Sequence, residues 1–65
     1  MNIEINGKNM ATEAHTLARL AEELGIPAGG TAIAVNGRMV PRTEWDGKTL
    51  NEGDKILIIR AACGG

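Results

Sequence analysis

The chain has 65 residues, with seven basic and eight acidic side chains, one cysteine, one histidine, one Trp and no Phe or Tyr. That length supports a single domain of marginal stability, able to bury about 60% of its unfolded surface. A formal net charge of -1 gives no basic footprint for nucleic acid, and without Phe or Tyr the usual base-stacking platforms are missing. One cysteine and one histidine make neither an internal disulfide nor a convincing metal site, so Ile, Leu, Val, Ala and the single Trp must hold the fold.

No apolar run approaches the roughly 20 residues that span a bilayer, and Met1-Asn2-Ile3-Glu4 does not read as a signal peptide. A cytoplasmic, reducing setting is the default expectation, with no membrane contact and no nucleic-acid partner.

Met1, Ile3 and Ile5 alternate with Asn2, Glu4 and Asn6. Period two with β-branched residues predicts a half-buried strand. Asn6-Gly7 predicts a tight hairpin, because both positions of such a turn need positive φ. Lys8 to Thr12 is then the returning strand, short and polar as suits an edge, with Met10 inward.

Thr16 is placed to cap a helix through its hydroxyl. Leu17, Leu20, Ala21 and Leu24 follow at i, i+3, i+4 and i+7 and form one apolar face. Arg19, Glu22 and Glu23 fall on the wet side. Gly25 suits the position after the last helical residue, Ile26 can fold back as its hydrophobic partner, and Pro27 stops the helix.

Ala28-Gly29-Gly30 reads as a loop. No Lys-Ser/Thr pair follows it and a strand comes next, so it does not read as a phosphate cradle. Thr31 to Val35 predicts a strand with Ile33 and Val35 on the core side. Asn36-Gly37 repeats the hairpin signal, and Arg38 to Val40 is a short strand ended by Pro41, which cannot donate to a ladder. Trp45 is expected in an irregular stretch as a packing residue, and Leu50 as a core plug. Asn51-Glu52-Gly53-Asp54 is a turn before the last strand, Lys55 to Arg60.

Two strands, a helix, then three strands predict a two-layer α+β domain over residues 1–60, with the helix across one face of the sheet. The most economical arrangement sets the first and last strands side by side and parallel in the middle. In the last strand Ile56 and Ile58 alternate with Leu57 and Ile59. One helix covers one face only, so if Ile56 and Ile58 face it, Leu57 and Ile59 face water. An exposed apolar patch often marks a docking site, and Leu57, Ile59 and Arg60 are the candidate partner-binding residues. The alternative is that branched side chains merely suit a central strand.

Residues 61–65, Ala61-Ala62-Cys63-Gly64-Gly65, are expected to be a flexible tail. Without a Cβ, Gly65 can bring its carboxylate into a narrow slot, and Gly64 keeps the approach open. Fully extended, the tail reaches about 17 Å, enough to enter a partner's active site while the folded body stays outside.

Three stretches look familiar together. They are Ala34-Val35-Asn36-Gly37-Arg38-Met39-Val40-Pro41-Arg42-Thr43-Glu44-Trp45, then Leu50-Asn51-Glu52-Gly53-Asp54-Lys55-Ile56, then Gly64-Gly65. Over its whole length the chain resembles the ThiS family, the sulfur carriers of thiamine biosynthesis, which have a ubiquitin-like β-grasp fold. Val40-Pro41-Arg42-x-x-Trp45 is the most specific piece. The second stretch is shared more widely, with molybdopterin sulfur carriers and other ubiquitin-like proteins.

The resemblance implies a mixed sheet of four to five strands with one helix on one face. It implies that Gly65 is the acceptor, adenylated by a ThiF-type adenylyltransferase that uses ATP and magnesium. Sulfur from a persulfide-bearing protein, such as a cysteine desulfurase, then leaves a thiocarboxylate that a ThiG-type thiazole synthase consumes. An acyl-disulfide link to the activating enzyme is the other route open to the family. The chain itself would be a cosubstrate, with no bound cofactor or metal, and not an enzyme. A molybdopterin-type sulfur carrier and a ubiquitin-like protein modifier are the alternative functions.

The remaining chemistry-bearing side chains read more blandly. His15 is a solvated residue before the helix cap, Glu22-Glu23 is a solvated helix face, and Arg42 is a surface arginine. Cys63 is a spacer in the tail, and the sharper reading is local sulfur chemistry, since an exposed thiol so close could attack an activated Gly65 carbonyl.

Overall fold

The computed structural model describes residues 1–26 and 29–60. In chain order these form β1 (Asn2–Ile5), β2 (Lys8–Ala11), α1 (Leu17–Leu24), β3 (Thr31–Val35), β4 (Arg38–Val40), a 3₁₀ helix (Arg42–Gly47) and β5 (Lys55–Arg60). The expected tail, 61–65, and the expected helix stop at Pro27 and loop start at Ala28 lie outside the described residues.

The strands make one mixed five-stranded sheet in the order β2-β1-β5-β3-β4. The first and last strands lie side by side and parallel, with Ile5 beside Ile56, as the economical arrangement requires. β3 runs antiparallel to β5 over its full length, from Thr31 opposite Arg60 to Val35 opposite Ile56. Both hairpins turn on Asn-Gly pairs held at positive φ: 50° and 85° at Asn6 and Gly7, 53° and 82° at Asn36 and Gly37. These are the pairs whose backbone twist matches that of the flanking strands.

α1 begins and ends where its sequence directs. The Thr16 hydroxyl accepts a hydrogen bond from the Arg19 N–H at 3.3 Å. After the last turn Gly25 sits at φ 68°. There its N–H donates to the Glu22 carbonyl and the Ile26 N–H to the Ala21 carbonyl, which satisfies carbonyls the helix would otherwise leave open. Ile26 folds back onto the core.

All large core residues lie on one side of the sheet. Ile3, Ile33, Val35, Val40 and Ile56 rise from the strands to meet Leu17, Leu20 and Ala21 of α1, with Ala14, Trp45 and Leu50 closing the edges. An eight-residue helix is about 12 Å long, and five strands at about 4.8 Å spacing span about 19 Å. The helix alone cannot cover this face, which explains the need for the rest. Trp45 lies in a regular 3₁₀ helix and not in the irregular stretch expected for it. It is buried, with Nε1 donating to the Val40 carbonyl at 2.9 Å. The bridge between Thr16 and Thr49 ties that segment to the start of α1.

The helix surface is less uniformly solvated than expected. Arg19 and Glu22 form an exposed ion pair at 3.7 Å, but Glu23 is fixed, because its carboxylate accepts the Thr12 hydroxyl at 2.7 Å. Thr12 is buried and its oxygen also accepts the Ala14 N–H. Glu23 therefore docks α1 onto the end of the first hairpin.

Candidate functional site

Among the described residues, no helix lies on the other side of the sheet. Alternation along β5 sends Ile56 and Ile58 toward the core and leaves Leu57 and Ile59 outward, 50% and 46% exposed. β4 adds Met39, which is 57% exposed. Register brings these side chains together. Ala34 on β3 lies between Met39 on one side and Leu57 on the other, and Ala32 lies beside Ile59. Ala34 is only 6% exposed although it faces away from the core, because its two larger neighbours flank its methyl group. Met39, Leu57 and Ile59 thus belong to one apolar patch on β4, β3 and β5 and not to scattered exposures.

Met39 was not among the candidates read from sequence. The signal was present, since an inward Val40 implies an outward Met39 in a strand of period two. What sequence alone lacked was the register that sets β4 two strands from β5.

Arg60 is exposed and opposite Thr31, at the end of β5. By alternation it shares the face of Ile56 and Ile58, so it borders the patch and is not part of its centre. Gly65, Gly64 and Cys63 lie outside the described residues.

The start of β5 is held by a polar clamp. Asp54 is buried. Its carboxylate accepts Asn36 Nδ2 at 3.0 Å and the Asn51 N–H at 2.8 Å, while Asn36 Oδ1 accepts the Lys55 N–H at 3.0 Å. The turn of one hairpin is thereby fastened to the turn before β5. On the other flank, Asn6 Oδ1 accepts the Ile58 N–H at 2.8 Å, extending the ladder past the end of β1. Among the described residues no buried side-chain oxygen or nitrogen lacks a partner. The last described strand is therefore anchored on both sides.

The other residues weighed from sequence lie elsewhere. His15 is exposed, with its backbone carbonyl accepting the Leu50 N–H. Arg42 is exposed and edges a groove between α1 and the 3₁₀ helix, floored by Ala18, Ala21, Ile26 and Trp45. Among the described residues, no group of three or more His, Cys, Asp or Glu side chains is placed to hold a metal. No described helix is long and apolar enough to cross a membrane.

A mixed sheet gripping one helix, with the first and last strands parallel at its centre, defines a ubiquitin-like β-grasp domain. The same fold appears in the crystal structure of the thiamine biosynthesis protein ThiS from Geobacter metallireducens, with a TM-score of 0.84 over the whole of both chains at 23% identity. A solution structure of a thiamine biosynthesis protein from the same organism gives a TM-score of 0.82 at 25% identity, covering all of this chain and 88% of the other. In sequence, the chain is 35% identical over 66 aligned residues to the sulfur carrier protein ThiS of Escherichia coli strain K12, with both covered completely. The ThiS family model matches residues 2–65. The chain belongs to the ThiS family.

Proposed function

We propose that this chain is a sulfur carrier of thiamine biosynthesis that bears its sulfur as a thiocarboxylate on Gly65. A ThiF-type adenylyltransferase, using ATP and magnesium, joins the Gly65 carboxylate to AMP and releases pyrophosphate. A carboxylate is a poor electrophile, and the adenylate supplies the leaving group it lacks. The terminal sulfur of a persulfide on a donor then displaces AMP to form an acyl disulfide, and a thiol cleaves its S–S bond, leaving the thiocarboxylate on Gly65 and a disulfide on the donor side. The resulting thiocarboxylate gives its sulfur to a ThiG-type thiazole synthase. The chain acts as a cosubstrate: partners supply the catalytic groups, and it supplies recognition and the reacting carbonyl.

The observation that carries this reading is the family match running through residue 65, on a chain whose last described strand ends at Arg60 with Leu57 and Ile59 bare to solvent. Docking through that patch would hold the body in place while residues 61–65 enter the partner's active site. The extended reach of about 17 Å suits that division. Gly64 and Gly65 keep the approach narrow, and Cys63 serves as spacer.

The test is intact mass spectrometry of the full chain after incubation with ATP, magnesium, a ThiF-type enzyme, a persulfide donor and a thiol reductant. One oxygen is expected to be exchanged for sulfur, localised to Gly65 by fragmentation. A mass unchanged under conditions that convert an established carrier would overturn the proposal. Cys63→Ser is expected to give the wild-type yield, and a lost yield would assign Cys63 a chemical role.

A further inference from the structure

Each hairpin turn lends its asparagine to β5. Asn36 Nδ2 donates to the Asp54 carboxylate at 3.0 Å, and Asn36 Oδ1 accepts the Lys55 N–H at 3.0 Å, at the start of the strand. Asn6 Oδ1 accepts the Ile58 N–H at 2.8 Å, farther along and on the other flank. Among the described residues, Asn36 is thus held through both of its polar side-chain atoms and Asn6 through its oxygen alone.

Both asparagines precede a glycine, and that pair carries a reaction of its own. The glycine nitrogen can attack the asparagine Cγ. A C–N bond forms, the bond from Cγ to the amide nitrogen breaks, and ammonia leaves with the proton that the glycine N–H gives up. Water then opens the cyclic imide at one of its two carbonyls, leaving an aspartyl or an isoaspartyl linkage. One water is consumed and one ammonia released, with no change of oxidation state. Glycine, without a Cβ, hinders the attack least. The two sites match in local sequence, Ile5-Asn6-Gly7 and Val35-Asn36-Gly37, each with a β-branched residue in front. They match in backbone too, with positive φ at all four turn positions. What separates them is the grip on the side chain, because attack needs Cγ to swing onto the next nitrogen.

We propose that the two Asn-Gly turns are unequal deamidation sites: Asn6 reacts in the folded chain, whereas Asn36 is held back by the Asp54 clamp and reacts when the clamp opens. The aspartyl products differ as well. At position 36 an oxygen replaces Nδ2, 3.0 Å from the carboxylate of buried Asp54. Asp54 then loses a donor and meets a like charge, so closure of the clamp is opposed at neutral pH. At position 6 an oxygen still faces the Ile58 N–H, and a carboxylate accepts that bond at least as well as an amide does. The isoaspartyl linkage adds a backbone carbon and disturbs either turn. Neither reaction depends on the sulfur chemistry of Gly65.

The experiment incubates the full chain in mildly alkaline buffer, folded and in guanidinium chloride, and follows both sites by peptide mapping and mass spectrometry. In the folded chain Asn6 is expected to convert at least about tenfold faster than Asn36, whose reaction waits on local opening. In denaturant the two rates are expected to converge. Rates that do not differ in the folded chain, or a difference that persists in denaturant, would overturn the proposal. Thermal unfolding at neutral pH checks the consequence. Asn36→Asp is expected to lower Tm by about 4–8 °C, and Asn6→Asp to leave it close to the wild-type value. An equal fall in the two variants, or no fall in Asn36→Asp, would overturn the part assigned to Asp54.

Discussion

The two faces of the sheet carry similar side chains for opposite purposes. On the helical face Ile3, Ile33 and Ile56 are buried to 3% exposure or less, whereas on the other Leu57 and Ile59 stay about half exposed. Hydrophobicity does not separate Ile56 from Leu57; position along one strand does. A domain of this size needs every apolar contact it can make, yet among the described residues Met39, Leu57 and Ile59 stay exposed. A surface that contributes so little to folding is open to selection for binding.

The comparison predicts that substitutions on the two faces separate stability from docking. The largest effect on stability is expected at Trp45, which fills the gap beside α1 and satisfies Val40. Trp45→Ala should cost about 3–5 kcal/mol, enough to unfold much of the population of so small a domain, as read by chemical denaturation. Asp54→Ala leaves Asn36 Nδ2 and the Asn51 N–H without their acceptor, and should cost about 1–3 kcal/mol. Gly25→Ala puts a side chain at φ 68° and should cost about 1 kcal/mol, a fall in Tm of about 4–8 °C. The smallest effect is expected on the bare face. Leu57→Ser should shift stability by about 0.5 kcal/mol or less, and a large loss there would mean that the patch belongs to the core after all.

Much of this plan was legible in the residues. The bounds of α1, β3, β4 and β5 follow from their periodicity and from Thr16, Gly25, Asn36-Gly37 and Pro41, because a cap or a tight turn imposes a local backbone that few residues satisfy. The exposure of Leu57 and Ile59 followed from one helix and two faces. What was not legible depends on residues distant in sequence. The 3₁₀ helix around Trp45 is short and has no repeat to reveal it. Glu23 looks like any solvated helix carboxylate until Thr12 arrives from the first hairpin. Asp54 is an ordinary turn residue until Asn36 reaches it. Met39 joins the patch only because register sets it opposite Ala34. The sulfur chemistry proposed for Gly65 has a different origin again. A diglycine implies access, and only the family resemblance names the cargo.

The central claim is that the bare face delivers Gly65 to its activating enzyme. The direct measurement is the initial rate of thiocarboxylate formation by the Leu57→Asp, Ile59→Asp double variant, with its fold verified by an unchanged circular dichroism spectrum and Tm. The account predicts a folded chain converted at least about 100-fold more slowly than wild type at a concentration that does not saturate the enzyme, as expected when the anchoring residues of an interface are lost. A folded double variant converted at the wild-type rate would contradict it.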